Sequence, residues 1–103
     1  MLVAFSVAPS GTGREDGSVH DAVAAAVKVV RDSGLPNQTD SMFTTIEGEW
    51  DEVFAVVKDA TEAVARFGSR VSLVLKADIR AGYSGELTAK VERLESALGK
   101  LTP

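Results

Sequence analysis

Asn37-Gln38-Thr39-Asp40-Ser41-Met42-Phe43-Thr44-Thr45-Ile46-Glu47-Gly48-Glu49-Trp50 lies between two helical patterns and mixes polar and apolar side chains as extended chain does. The middle strands of the fold must come from it. One long strand over Gln38 to Ile46 is conceivable, but a tight reversal near Ser41 to Phe43 gives two short strands with the alternation of a hairpin, and that is the preferred reading. Strand side chains alternate between faces, so some of Asp40, Ser41, Thr44, Thr45 and Glu47 point away from the core, beside Met42 and Phe43. A binding surface can form there.

Working outward, 103 residues make one domain with one core. The chain is 45% hydrophobic and 25% charged, ordinary for a globular protein, and no apolar run approaches the roughly 20 residues of a membrane span. The opening Met1 to Ala8 is apolar but has no basic flank and runs into Pro9. It reads as a first strand rather than a signal peptide, and a cytoplasmic location is expected. Cysteine is absent, which removes disulfides and thiolate chemistry. A net charge of −4 argues against a nucleic-acid partner, which usually needs a basic face. The single histidine, His20, rules out a multi-histidine metal centre and makes a Ser-His-Asp triad a poor reading; it is expected on the exposed side of the first helix.

In the first strand, Leu2 to Ala8, Val3, Phe5 and Val7 share one face, while the smaller Leu2, Ala4, Ser6 and Ala8 share the other. Pro9-Ser10-Gly11-Thr12-Gly13 should end it in a loop. A Gly-Thr-Gly turn can offer N–H groups to an anion, but the Lys-Ser/Thr of a P-loop is missing, and a plain strand-to-helix turn is preferred. Ser18 is a candidate N-cap for a helix carrying Val19, Val23, Ala26, Val27 and Val30 on one side, stopped by Gly34 and Pro36. After the hairpin, Val53, Val56, Val57, Ala60, Val64 and Phe67 mark a second helix ending at Gly68.

Val71 to Arg80 alternates again. Val71, Leu73, Leu75, Ala77 and Ile79 belong under the helices; Ser72, Val74, Lys76, Asp78 and Arg80 face the other way, as a solvated stripe, a dimer contact or part of a polar pocket. Leu87, Val91, Leu94, Leu98 and Leu101 define a third helix, with Glu86 and Lys90 spaced for an i,i+4 pair. The order β-α-β-β-α-β plus a terminal helix predicts an α+β, ferredoxin-like domain spanning 1–103. Two helices cover one face of a four-stranded antiparallel sheet. The reverse face, with Leu2, Ala4 and Val74, should be covered by the third helix, by another subunit, or by both.

Pro9-x-Gly11-x-Gly13 followed by Ser18-Val19, then Ser33-Gly34-Leu35, then Met42-x-Thr44-x-Ile46-Glu47-Gly48-Glu49 with Glu52, and Arg70-Val71 followed by Lys76-x-Asp78-x-Arg80, resemble the small thiamine-binding protein family. Each piece alone is weak; in this order from Leu2 to Arg80 they are fairly specific. The resemblance implies a ferredoxin-like homo-oligomer, a dimer or a tetramer of dimers, that binds thiamine or its hydroxymethylpyrimidine moiety without changing it. The chain departs from the family pattern at Ala22, where relatives often have an aromatic residue, and at Ser41-Met42-Phe43, in place of a Pro-Met-Gly step.

An aminopyrimidine needs a few placed donors and acceptors around an apolar body. Thr44, Ser6, Ser72 and Asp40 offer the first, Met42 and Phe43 the second. A thiazolium is cationic, which a carboxylate such as Glu47 or Asp78 would complement. Thr44, Glu47 and Asp78 lead this list. Trp50, beside a helix start, is read as a packing residue before a ring-stacking one. A cofactor-free enzyme and a purely structural oligomer are the other classes, and nothing in the chain pairs an activated nucleophile with a base.

Overall fold

The computed structural model describes residues 1–10 and 20–101. The expected Gly11-Thr12-Gly13 turn, the Ser18 cap and Val19 lie outside them. The elements are β1 (Leu2–Ser10), α1 (His20–Asp32), β2 (Asn37–Thr39), β3 (Thr44–Glu47), α2 (Trp50–Ala65), β4 (Arg70–Asp78) and α3 (Glu86–Leu101). All strand pairings are antiparallel in the order β2-β3-β1-β4, the ferredoxin-like arrangement.

The central stretch does divide into two strands, and a carboxylate makes the turn. Asp40 Oδ1 accepts from the backbone N–H of Met42 at 2.8 Å and of Phe43 at 2.9 Å, while Asp40 N–H donates to the Phe43 carbonyl at 2.9 Å. An Asx side chain thereby satisfies donors that neither strand can reach. At the start of α2, Glu52 reaches back to the Glu49 N–H at 3.1 Å in a capping box. Gly34 closes α1 at φ +78, a conformation that favours a residue without Cβ.

The core lies between the sheet and α1 and α2. Val3, Phe5 and Val7 of β1 and Ile46 of β3 meet Ala22, Ala26 and Val30 of α1 and Val53, Val57, Ala60 and Val64 of α2. Small alanines let the helices sit close to the sheet, and burying each Val or Ile contributes roughly 1.5–3 kcal/mol.

Three expectations are corrected. β1 runs through Pro9 to Ser10, because it is paired with β4 along nine residues but with β3 only from Leu2 to Phe5, so a residue without N–H is tolerated beyond that point. Leu73 and Ile79, expected in the core, are 43% and 55% exposed: Leu73 lies on β4, an edge strand covered only in part, and Ile79 lies just past the end of β4. In α3, Lys90 pairs with Asp78, and Glu86 with Arg93 rather than with Lys90. Of the covers open for the reverse face, α3 of this chain provides little: of its residues only Glu86 is buried. Among the described residues no helix is long and apolar enough to cross a membrane.

Candidate functional site

The early end of the β1–β3 pairing creates a cleft. Past Phe5, β1 continues along β4 alone, the β2–β3 turn folds back at Asp40 to Phe43, and α1 stands over the gap. The resulting hollow is about 280 Å³. Its walls are apolar: Phe5 and Val7 from the sheet, Val23, Ala26 and Val27 from α1, and Phe43 from the turn. Polar groups enter from one side, Thr39, Asp40, Ser41 and Thr44 of the hairpin, with Ser6 of β1 nearby.

Strand register explains why these polar groups converge. Thr39 is opposite Thr44, and their hydroxyls lie 3.1 Å apart. Thr44 is itself opposite Phe5, so it faces the helices and is buried. The turn uses one oxygen of Asp40 and leaves Oδ2 outside the two turn bonds. The Met42 N–H above all, then that of Phe43, hold the Asp40 carboxyl below its ordinary 3.8. Because that value is depressed on folding, the stability it contributes to the turn is complete above pH 3.8 and is lost as pH falls through the lower folded value. The Met42 and Phe43 amide resonances should therefore hold steady from neutral pH down to about 4. A shift centred near pH 6 would contradict this origin.

Five of the eight residues singled out in the sequence, Ser6, Asp40, Met42, Phe43 and Thr44, thus line one cleft. Met42 is 71% exposed and forms its rim. The other three lie elsewhere. Ser72 is exposed on the edge strand opposite Ala8. Glu47 is buried, and its carboxylate accepts the backbone N–H of Glu86 at 2.8 Å and of Leu87 at 3.2 Å, capping α3. Asp78 is ion-paired with Lys90, whose hydrogen bond and charge keep its carboxyl below the usual range.

Asp78 belongs to a second, smaller hollow of about 170 Å³ where Leu2 meets α3. Arg80 and Arg93 also reach it, and the Arg80 guanidinium lies 3.5 Å from the centre of the Tyr83 ring. Leu2 is four residues from Ser6 along β1, or roughly 13 Å, so the two hollows are separate places. Trp50 is stacked on Phe54 with ring centres 5.1 Å apart, as a packing residue would be, though it remains half exposed. Sequence reading missed Val23, Val27 and Thr39 as cleft residues. The signal for Thr39 was its hairpin register with Thr44; Val23 and Val27 looked like ordinary core positions. Among the described residues no group of three or more His, Cys, Asp or Glu could hold a metal ion.

Comparison with known proteins bears directly on this arrangement. The model of the family described as thiamine-binding protein matches residues 3–95, which include the whole hairpin cleft and most of α3. The chain belongs to the thiamine-binding protein family. A UPF0045 protein of Mycobacterium bovis is 54% identical over 99 residues, covering 95% of this chain and 94% of its own length. One from Synechocystis is 36% identical, covering 95% and 79%. Among solved structures, a protein from Methanocaldococcus jannaschii superposes with a TM-score of 0.81 at 29% identity, over 91% of this chain and 94% of its own. A Thermotoga maritima protein assigned to thiamine biosynthesis or salvage superposes at 0.72 with 27% identity, over 88% and 96%. The family and the Thermotoga maritima neighbour support a thiamine-related role, and the solved structures share the ferredoxin-like fold.

Proposed function

We propose that this chain binds thiamine or its hydroxymethylpyrimidine moiety, without altering it, in the cleft between α1 and the β2–β3 hairpin. The observation that carries the reading is the cleft itself: it combines an apolar box with a one-sided row of hydroxyls and an ionised carboxylate. At about 280 Å³ it sits at the small end of ligand pockets, which run from roughly 300 to 1,000 Å³, and so suits one heteroaromatic ring better than two. Thr44 and Thr39 meet the ring nitrogens, Asp40 Oδ2 takes the exocyclic amine or complements a thiazolium, and Phe43, Val23 and Val27 cover the ring faces. Glu47 and Asp78 have protein partners in this chain and hold α3 in place, rather than meeting a ligand in this cleft.

The protein acts in salvage, delivery or sensing of the vitamin in the cytoplasm, as a homo-oligomer, a dimer or a tetramer. Leu73 and Val74 on β4 and the apolar side of α3 are exposed and support self-association. Titration calorimetry with thiamine and with hydroxymethylpyrimidine tests the reading. The pyrimidine alone should retain most of the affinity. Thr44→Val removes one hydroxyl at constant shape and should weaken binding about tenfold, the cost of a hydrogen bond of roughly 1–1.5 kcal/mol, while the domain stays folded. No heat and no thermal shift at millimolar ligand would overturn binding; a mass change in the ligand would make the protein an enzyme.

A further inference from the structure

We infer that Asp40 decides which pyrimidines the hairpin cleft takes: its free carboxylate oxygen accepts from a ring-bound amine and disfavours a carbonyl at the same place, so the site selects amino rings over their deaminated, oxo counterparts. This rests on the pyrimidine reading above and narrows it to a class of ring. The hydrogen-bonding direction of the cleft's lining carries the argument. Its polar side chains are Ser6, Thr39, Asp40, Ser41 and Thr44. Four of these are hydroxyls, each able to donate or to accept by rotation of its O–H. The Thr39 and Thr44 hydroxyls, 3.1 Å apart, can bond one another in either sense. Asp40 alone has a fixed direction: an ionised carboxylate only accepts.

The turn fixes both the charge of Asp40 and the oxygen it leaves over. Oδ1 accepts the Met42 N–H at 2.8 Å and the Phe43 N–H at 2.9 Å, and these bonds hold the carboxyl below its ordinary 3.8, so it is ionised at neutral pH. Among the described residues nothing takes Oδ2. The second oxygen is therefore an acceptor held in place by a turn that has already used the first.

An amino and an oxo pyrimidine of the same shape differ at two adjacent atoms. The first has an exocyclic N–H donor beside an acceptor ring nitrogen; the second has an acceptor oxygen beside a ring N–H. Hydroxyls follow that exchange by rotating. A carboxylate oxygen set against a carbonyl oxygen cannot, and both acceptors are left unsatisfied. Asp40 is exposed, so water competes for it. The preference is therefore about tenfold, rather than the roughly 10⁴–10⁵ reached where a site's polar groups are buried.

Titration calorimetry on the full chain tests this, with hydroxymethylpyrimidine and its oxo analogue, in which a carbonyl replaces the amine. The parent should prefer the amino ring about tenfold. Asp40→Asn is the deciding variant. Asn makes the same kind of turn; its Oδ1 stays with the two amides, so Nδ2, a donor, takes the place of Oδ2. Unmoved Met42 and Phe43 amide resonances would show the turn retained, and the amino-to-oxo ratio should fall about tenfold, to parity or beyond. Thr44→Val removes a hydroxyl that serves either direction, so it should weaken both rings alike and leave the ratio within about twofold. A purely structural or long-range charge effect of Asp40 would also move both rings together. A parent that binds the two rings equally overturns the inference and leaves pyrimidine binding standing; one that binds neither overturns the underlying reading as well. The inference also falls if Asp40→Asn weakens both rings equally with its turn intact, or if the ratio follows Thr44 and not Asp40.

Discussion

Ile46→Ala is expected to lower the free energy of unfolding by about 3 kcal/mol, within the 2–5 kcal/mol of such truncations. Ile46 is fully buried on β3, opposite Val3 on one side and Asn37 on the other, at the strand that joins the hairpin to the rest of the sheet. The lost methyls leave a cavity among close-packed neighbours, which relax only in part. For a domain with some 5–15 kcal/mol in total, that is a large share. Urea denaturation measures it, with Val74→Ala, at a position 57% exposed, as the control expected to change little. A loss below 1 kcal/mol at Ile46 would mean that the core is not organised around β3.

The second large effect belongs to Glu47. Glu47→Ala removes the acceptor for two N-terminal amides of α3, one of them buried, and leaving such a donor without a partner costs about 1–3 kcal/mol. The loss should appear locally: faster hydrogen exchange at the Leu87 to Lys90 amides and reduced self-association, with thiamine affinity retained. Glu47→Gln keeps one acceptor oxygen and should recover part of the protection. If instead thiamine binding fell tenfold while the α3 amides stayed protected, Glu47 would be a ligand residue and the capping role secondary.

These two residues show how differently parts of this chain can be read in advance. Ile46 was legible as strand, but which of Thr44, Thr45, Ile46 and Glu47 turn inward depended on the register of the hairpin against β1, which places Ile46 opposite Val3. Glu47 was legible as important and polar but not as a cap. Its partners, Glu86 and Leu87, are some forty residues away, and no local pattern states that the chain returns there. Leu73 and Ile79 failed for a related reason: alternation assigns a face, but whether a helix lies over that face is a long-range fact.

The candidate site divides along the same line. Asp40, Met42, Phe43 and Thr44 could be grouped because they are neighbours on one hairpin. Their cleft partners Val23 and Val27 could not, because helical spacing makes them indistinguishable from core.

By itself the sequence determined the elements, their order, the inward face of the first and last strands and, through its motifs, the family. Those follow from short-range physics, the periods of helix and strand and the chemistry of turns. Only the tertiary structure decided that β3 stops short of the end of β1 and opens a cleft beneath α1, and that Glu47 and Asp78 are taken up in anchoring α3. Both depend on contacts between residues far apart in the chain, where packing and hydrogen-bond satisfaction, rather than local preference, select the outcome.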